Sequence, residues 1–185
     1  MRLHDAPHDE SAHIALAADG DPTARSWVAS RWAAPLHRFC LRMLRDEQDA
    51  QEVSQEVLVK LLRALDRYDP QRSFSTWAYG IARNACIDHL RRRRLRTHEP
   101  SREVADTSPT PLQEASRAER AERLHEALAE IPPMYREILV LYHFEHLKYT
   151  EIAEVLDLPL GTVMNRIFRA RGKLRTAYEG RGGVA

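Results

Sequence analysis

The 185 residues suffice for one domain or two small ones, and small domains bury too little surface to be very stable alone, so two compact helical units leaning on a larger partner would suit this length. No stretch approaches the roughly 20 apolar residues needed to cross a bilayer, and the N-terminal MRLHDAPHDESAH lacks the apolar core of a secretory signal; the expectation is a cytoplasmic protein without membrane insertion. The formal net charge of +1 argues against a polyanion partner only if charge is spread evenly, and it is not.

Residues 1–10 read as a disordered N-terminus. A short helix is expected over about Ser11 to Ala18, broken by Gly20-Asp21-Pro22 before a longer one from about Thr23 to Leu44. From Asp46 to Arg67, apolar residues at Val53, Val57, Leu58, Leu61, Leu62 and Leu65 form the stripe of an amphipathic helix. Acidic residues gather at its start, at Asp46, Glu47, Asp49, Glu52 and Glu56, and suggest a surface for a protein partner or simply a solvated face. Tyr68 to Ser73 reads as a loop. A further helix from about Ser75 to Leu95 carries Trp77, Ile81, Ile87 and Leu90 on its apolar side and ends in the basic run Arg91, Arg92, Arg93, Arg94 and Arg96.

Phe74, Trp77 and Tyr79 lie just upstream of that run. Aromatics beside a basic stripe can stack unpaired bases while the cations hold the backbone, although a tryptophan alone is more often core. Residues 96–116, with Pro100, Pro109 and Pro111 and few large apolar side chains, read as a flexible linker. Helix returns near Arg117 and runs through Leu124, Leu128 and Ile131; Pro132-Pro133 ends it and starts another that buries Ile138, Leu139 and Tyr142. Two helices, about Thr150 to Leu156 and Pro159 to Tyr178, follow with only Asp157-Leu158 between them. Residues 180–185 read as a disordered tail.

A short helix, a tight turn and a longer basic helix form the helix-turn-helix pattern, whose second helix enters the DNA major groove. With Val163 as the zero of a wheel at about 100° per residue, Ile167, Ala170 and Leu174 fall within roughly 40° of it and must face the core. Asn165, Phe168 and Arg169 point the other way, with Thr162, Met164, Arg166 and Arg171 on the flanks. Gly161 offers a close approach to the preceding helix. A solvated basic helix is the plainer alternative. Strand signals are nearly absent, so the fold class is all-α: two small helical domains, about 11–95 and 117–179, joined by the linker.

Cys40 and Cys86 stand alone in sequence, without CxxC or zinc-ligand spacing, and read as plain thiols; no metal or cofactor is expected. His143 and His146 are one turn apart without a third ligand. No convergent acidic or histidine set for a nuclease metal is visible, so an enzyme is not expected.

The segment DAQEVSQEVLVKLLRALDRYDP followed by SFSTWAYGIARNACIDHLRRRR resembles region 2 of the extracytoplasmic-function (ECF) sigma factors of the sigma-70 family. IPPMYREILVLYHFEHLKYTEIAEVLDLPLGTVMNRIFRARGKLR resembles their region 4. The resemblance implies an RNA polymerase subunit that initiates transcription at chosen promoters. By this likeness Asp49, Glu52, Gln55 and Glu56 dock on the clamp coiled coil of the β′ subunit, and region 4 meets the β flap. Asp69, Phe74, Trp77, Tyr79, Arg83, Asn84 and Arg91 read the −10 element, the loop near Asp69 to Phe74 receiving an extruded base. Thr162, Met164, Asn165, Phe168 and Arg169, with Arg166 and Arg171 near phosphates, read the −35 element. The linker threads the polymerase's active-site and RNA-exit channels, and an anti-sigma factor is an expected partner.

Two departures limit the likeness. Met164 stands where many members have Arg or Lys, so an apolar contact replaces a hydrogen-bonding one, and Gly80 stands where an arginine is common, leaving Arg83 as its closest replacement. The competing reading is a stand-alone helix-turn-helix regulator that binds duplex DNA by itself, which leaves the segment from Asp46 to Asn84 without a role.

Overall fold

The computed structural model describes residues 7–96 and 122–180, and every described element is helical. In chain order these are α1 (Pro7–Ala18), α2 (Pro22–Leu44), α3 (Glu47–Arg63) with a 3₁₀ turn at Leu65–Arg67, α4 (Phe74–Arg96), α5 (residues 122–130), α6 (Pro133–Leu139) continuing as a π turn over Val140–Phe144, α7 (Tyr149–Leu156) and α8 (Leu160–Gly180). Helix α1 starts at Pro7, so the disorder expected over 1–10 gives way there, and the Glu10 carboxylate accepts the Trp32 indole N–H at 3.2 Å. All of 97–116 and 181–185, the body of the expected linker and tail, lie outside the described residues.

The boundaries follow from local chemistry. Asp21 caps α2 by accepting the Ala24 amide at 2.6 Å, ahead of Pro22 in the first turn, and Asp46 caps α3 through the Asp49 amide at 3.0 Å. Arg45 adopts the left-handed conformation (φ 61°) that ends α2 one residue before that second cap. Asp157, at φ 52°, makes the turn between α7 and α8. A Cβ on Gly161 would meet open space, so the expected close approach there is absent and the turn rests on Asp157.

In the first half α2 lies against α1, α3 and α4. Val53, Val57, Leu61 and Leu65 are buried as the stripe predicts, but α4 is rotated from expectation. Its buried face is Phe74, Ala78, Tyr79, Ala82, Ala85 and Cys86, while Trp77, Ile81, Ile87 and Leu90 are half-buried. Ala78, Ala82 and Ala85, spaced four and three apart, let α4 approach closely, and the larger side chains flank the contact. Cys40 and Cys86, distant in sequence, meet across this core with sulfurs 3.7 Å apart, and the Cys86 thiol pKa is pushed up by its contact with Cys40 and by burial.

In the second half α6 is wrapped on every side: Arg136, Glu137, Ile138, Leu139, Val140 and Leu141 are all buried. It packs on α8, and α7 packs on α8 and on α4. The two halves therefore form one packed body, an arrangement the linker's composition left open. Each fully buried Leu or Ile here stabilises the fold by about 1.5–3 kcal/mol.

Candidate nucleic-acid interface and the seam beside it

Helix α8 is set by its inner face. Val163, Ile167 and Ala170 are buried and Leu174 is half-buried, which fixes the opposite face toward solvent. Phe168 is 79% exposed and Met164 53%, unusual for large apolar side chains, and Thr162, Asn165, Arg169 and Arg171 are exposed beside them. Asn165 donates through Nδ2 to the Gly161 carbonyl at 3.1 Å, and the Arg171 guanidinium lies over the Tyr142 ring at 5.1 Å. Arg166 departs from the expected set. Its side chain is only 18% exposed and pairs with Glu137 at 3.6 Å, because its flank of the helix faces α6.

The loop after α3 is braced by its own hydrogen bonds. Asp69 Oδ1 accepts the Gln71 amide at 2.9 Å, the Arg72 amide donates to the Asp69 carbonyl at 3.0 Å, and the Tyr68 hydroxyl donates to the Arg72 carbonyl at 2.6 Å. Between this loop and α1 lies a cavity of about 510 Å³ lined by residues including Glu10, Ile14, Trp32, Tyr68 and Phe74. Its aromatic lining is Trp32, Tyr68 and Phe74, and Trp77 and Tyr79 pack behind these rings. Trp77 packs on Tyr68 and Phe74 with centroids 5.2 and 5.4 Å apart, Phe74 meets Trp32 at 5.2 Å, and Trp32 meets Tyr79 at 5.7 Å.

Two residues expected on the −10 surface face inward. Tyr79 is 5% exposed and its hydroxyl donates to Glu145, with burial and the neighbouring carboxylate raising the phenol pKa. Arg83 donates through Nε to Glu137 at 3.1 Å. Phe74 is also buried and reaches the cavity only as part of its wall. Trp77 is half-buried, Asn84 and Asp69 are exposed, and Arg91 is exposed and pairs with Asp88 at 3.3 Å.

On α3, Glu52 and Gln55 are exposed, while Glu56 pairs with Lys60 at 2.6 Å, a hydrogen bond that lowers its carboxyl pKa. Asp49 is held against α4 by Arg93 at 2.8 Å and His89 at 3.1 Å. The acidic face thus divides into Asp49, which ties α3 to the arginine run, Glu56, which is half-buried and reaches Arg92 at 4.0 Å, and Glu52 and Gln55, which turn to solvent.

Sequence reasoning missed the seam between the halves. Glu137, 4% exposed, sits between Arg83 and Arg166; Glu145 accepts from Tyr79 and from Arg42 at 3.2 Å; and Arg42 stacks on the Phe144 ring at 4.3 Å. Arg136 donates to the carbonyls of Met43, Leu128, Ala129 and Ile131 at 2.8 to 3.4 Å, tying the C-terminal ends of α2 and α5 together. Desolvation and nearby Arg45 push the Arg136 pKa down to about 10. The π turn brings Phe144 and Glu145 to this seam, the Glu145 amide reaching back to the Val140 carbonyl at 3.1 Å. A charged Arg-Glu pair inside the run REILVL was the available signal, since charges inside an otherwise buried helix must be paired.

Residues 28–96 match the family model for sigma-70 region 2, and residues 121–174 match that for sigma-70 region 4. The ECF RNA polymerase sigma factor SigW of Bacillus subtilis is 30% identical over 168 residues, covering 84% of this chain and 89% of that protein. Among solved structures, CnrH in complex with the cytosolic domain of CnrY is 27% identical with a TM-score of 0.71 over 92% of this chain and 97% of that one. RpoE of Bartonella quintana, solved with the anti-sigma factor NepR, shares the fold at a TM-score of 0.70 and 18% identity over 83% of this chain and 96% of that one. An all-helical body in which two sigma-70 regions follow one another, together with a relative matched over nearly its whole length, shows that this chain belongs to the ECF group of the sigma-70 family of RNA polymerase sigma factors.

Proposed function

We infer that this chain is the promoter-reading subunit of an RNA polymerase, acting in the cytoplasm and making or breaking no covalent bond itself. The observation that carries the reading is α8: a helix pinned by Val163, Ile167 and Ala170 that turns Met164, Asn165, Phe168 and Arg169 outward, in a chain whose family is that of initiation factors. Arg169 offers a fork for a guanine edge or a phosphate, and Met164 and Phe168 offer apolar contact to thymine methyls in the −35 element. Thr162 and Arg171 flank them. The braced loop at Asp69 and the cavity behind it, walled by Phe74 and flanked by Trp77, supply stacking and hydrogen bonds for a base drawn from the −10 element, with Asn84 and Arg91 along the strand.

Core polymerase binds the exposed side of α3 through Glu52, Gln55 and Glu56, and Asp49 orients that face from within. An anti-sigma factor controls the chain, by analogy with RpoE of Bartonella quintana bound to NepR. The test is reconstitution with core polymerase on fragmented genomic DNA. Discrete start sites that require the chain are expected; transcription that is identical without it overturns the reading.

A further inference from the structure

Three large apolar side chains stand in one exposed row on α8. Leu160, Met164 and Phe168 follow one another at single-turn spacing and are 45%, 53% and 79% exposed. Packing does not require them there, because Val163, Ile167 and Ala170 already fill the inner face. Their surroundings select the kind of surface they meet. Thr162, Asn165, Arg169 and Arg171 are exposed around the row, and every charged residue of α8 before Glu179 is Arg or Lys. A cationic helix with an apolar row fits the major groove, where phosphates flank the base edges and the apolar group on offer is the methyl at C5 of a pyrimidine.

A side chain without donors or acceptors distinguishes base edges there by that methyl. Thymine carries it, and 5-methylcytosine carries it on the same ring carbon and in the same place in the groove. O4 and N4 tell the two apart only to a partner that hydrogen-bonds, and Asn165, the amide beside Met164, already donates through Nδ2 to the Gly161 carbonyl at 3.1 Å. Met164 and Phe168 lie roughly 6 Å apart along the helix axis, close to two base steps of about 3.4 Å each, so the row covers pyrimidines up to two steps apart. Arg169, next to Phe168, supplies a guanidinium fork for a neighbouring guanine.

We propose that Met164 and Phe168 make this chain a reader of the C5 methyl group, so that 5-methylcytosine takes thymine's place in the −35 element and cytosine methylation there strengthens promoter binding. The inference rests on the assignment of α8 to the −35 element and deepens it by naming the chemical group that is read. An unmethylated cytosine leaves the apolar side chain over a bare C5–H, with a gap one methyl wide. Cytosine-C5 methylation then acts on this chain directly, without a second protein to report it.

The test uses holoenzyme assembled from the full chain and a promoter fragment mapped in the reconstitution. At each pyrimidine of the −35 element, on either strand, cytosine paired with guanine is compared with 5-methylcytosine paired with guanine, so that the two duplexes differ by one methyl. At positions within two steps of each other, wild type is expected to bind the methylated duplex about fourfold more tightly, the worth of burying one such carbon. Met164→Ala/Phe168→Ala should bring that ratio to about one, and because both side chains are exposed the fold does not depend on them. A ratio of about one at every position in wild type overturns the inference, as does a ratio that persists in the double variant, since the methyl then acts through the shape of the DNA itself. Equal promoter affinity of wild type and variant, with retention by core polymerase lost, assigns the row to a protein and overturns it as well. A holoenzyme indifferent to replacement of the whole −35 element overturns the assignment of α8, a result read on unmodified DNA before any methyl is introduced.

Discussion

Helices α4 and α8 carry the same ingredients, an aromatic-and-arginine face on an amphipathic helix, and the fold uses them in opposite ways. On α8 the aromatic and the guanidinium point to solvent, Phe168 at 79% exposure, because the inner face is filled by Val163, Ile167 and Ala170. On α4 the corresponding groups turn inward: Tyr79 is 5% exposed on Glu145, and Arg83 is spent on Glu137. A basic aromatic stripe therefore fixes which residues are able to meet nucleic acid, whereas their availability depends on what the rest of the chain places opposite them.

The largest expected effect comes from breaking the seam at Arg136. Its guanidinium satisfies carbonyls from both halves, so Arg136→Ala leaves the buried Met43 and Leu128 acceptors without this donor and should destabilise the protein by about 1–3 kcal/mol for each acceptor left unpaired. Urea unfolding checks the size. Hydrogen exchange sharpens the comparison: amides at the ends of α2 and α5 should lose protection, while the α7–α8 turn keeps its own relative protection.

Removing an outward group on α8 should do the reverse. Arg169→Ala is expected to leave the unfolding midpoint within about 0.5 kcal/mol of wild type. It should weaken binding to the −35 element by about 1–3 kcal/mol, roughly five- to 150-fold, in holoenzyme binding assays. For Met164 and Phe168 the sharper probe is the DNA. Replacing −35 thymines by uracil deletes only the C5 methyl, and the loss should be smaller in Phe168→Ala than in wild type if that ring meets the methyl.

How far the sequence discloses this molecule depends on whether a residue's partner is near in the chain. The inner face of α8 was legible because Val163, Ile167 and Ala170 repeat at helical spacing within one element. Caps at Asp21 and Asp46 are likewise local. The rotation of α4 was not legible, since large apolar residues outrank alanine in any pattern, although Ala78, Ala82 and Ala85 are the positions where another helix comes close. Nor was the pairing of Asp49 with Arg93, or of Arg83 with Glu137, since each joins elements at least 44 residues apart. The Cys40–Cys86 contact is the same case.

A moderate effect is expected on α3, where Glu52→Lys should reduce retention by core polymerase without altering the fold. Asp49→Ala should both destabilise, through loss of its partly buried bonds to Arg93 and His89, and reduce retention. Equal behaviour of the two variants in chemical unfolding would erase the distinction drawn between outer and inner acidic residues.

The smallest effect is in pH dependence, and its sign separates the seam from the surface. Arg42, Arg38, Tyr79 and His146 face Glu145, and Arg83 and Arg166 face Glu137, yet burial dominates and both carboxyl pKa values stand above the ordinary 4.5. The folded chain then holds these protons more tightly than the unfolded chain, so this contribution to stability is fully present below 4.5 and is lost as pH rises through the folded values. Glu56 has the opposite sign: Lys60 lowers its pKa, so its contribution is present above 4.5 and is lost only as pH falls further. Raising the pH from about 5 to 7 should therefore cost wild type more stability than Glu137→Gln/Glu145→Gln, which has no proton to lose at the seam. The rest of the chain is the same in both proteins, so the difference between the two melting-temperature profiles isolates the seam. Parallel profiles would mean that the arginines fully offset desolvation, making the seam as much at ease with its charges as the exposed face of α8.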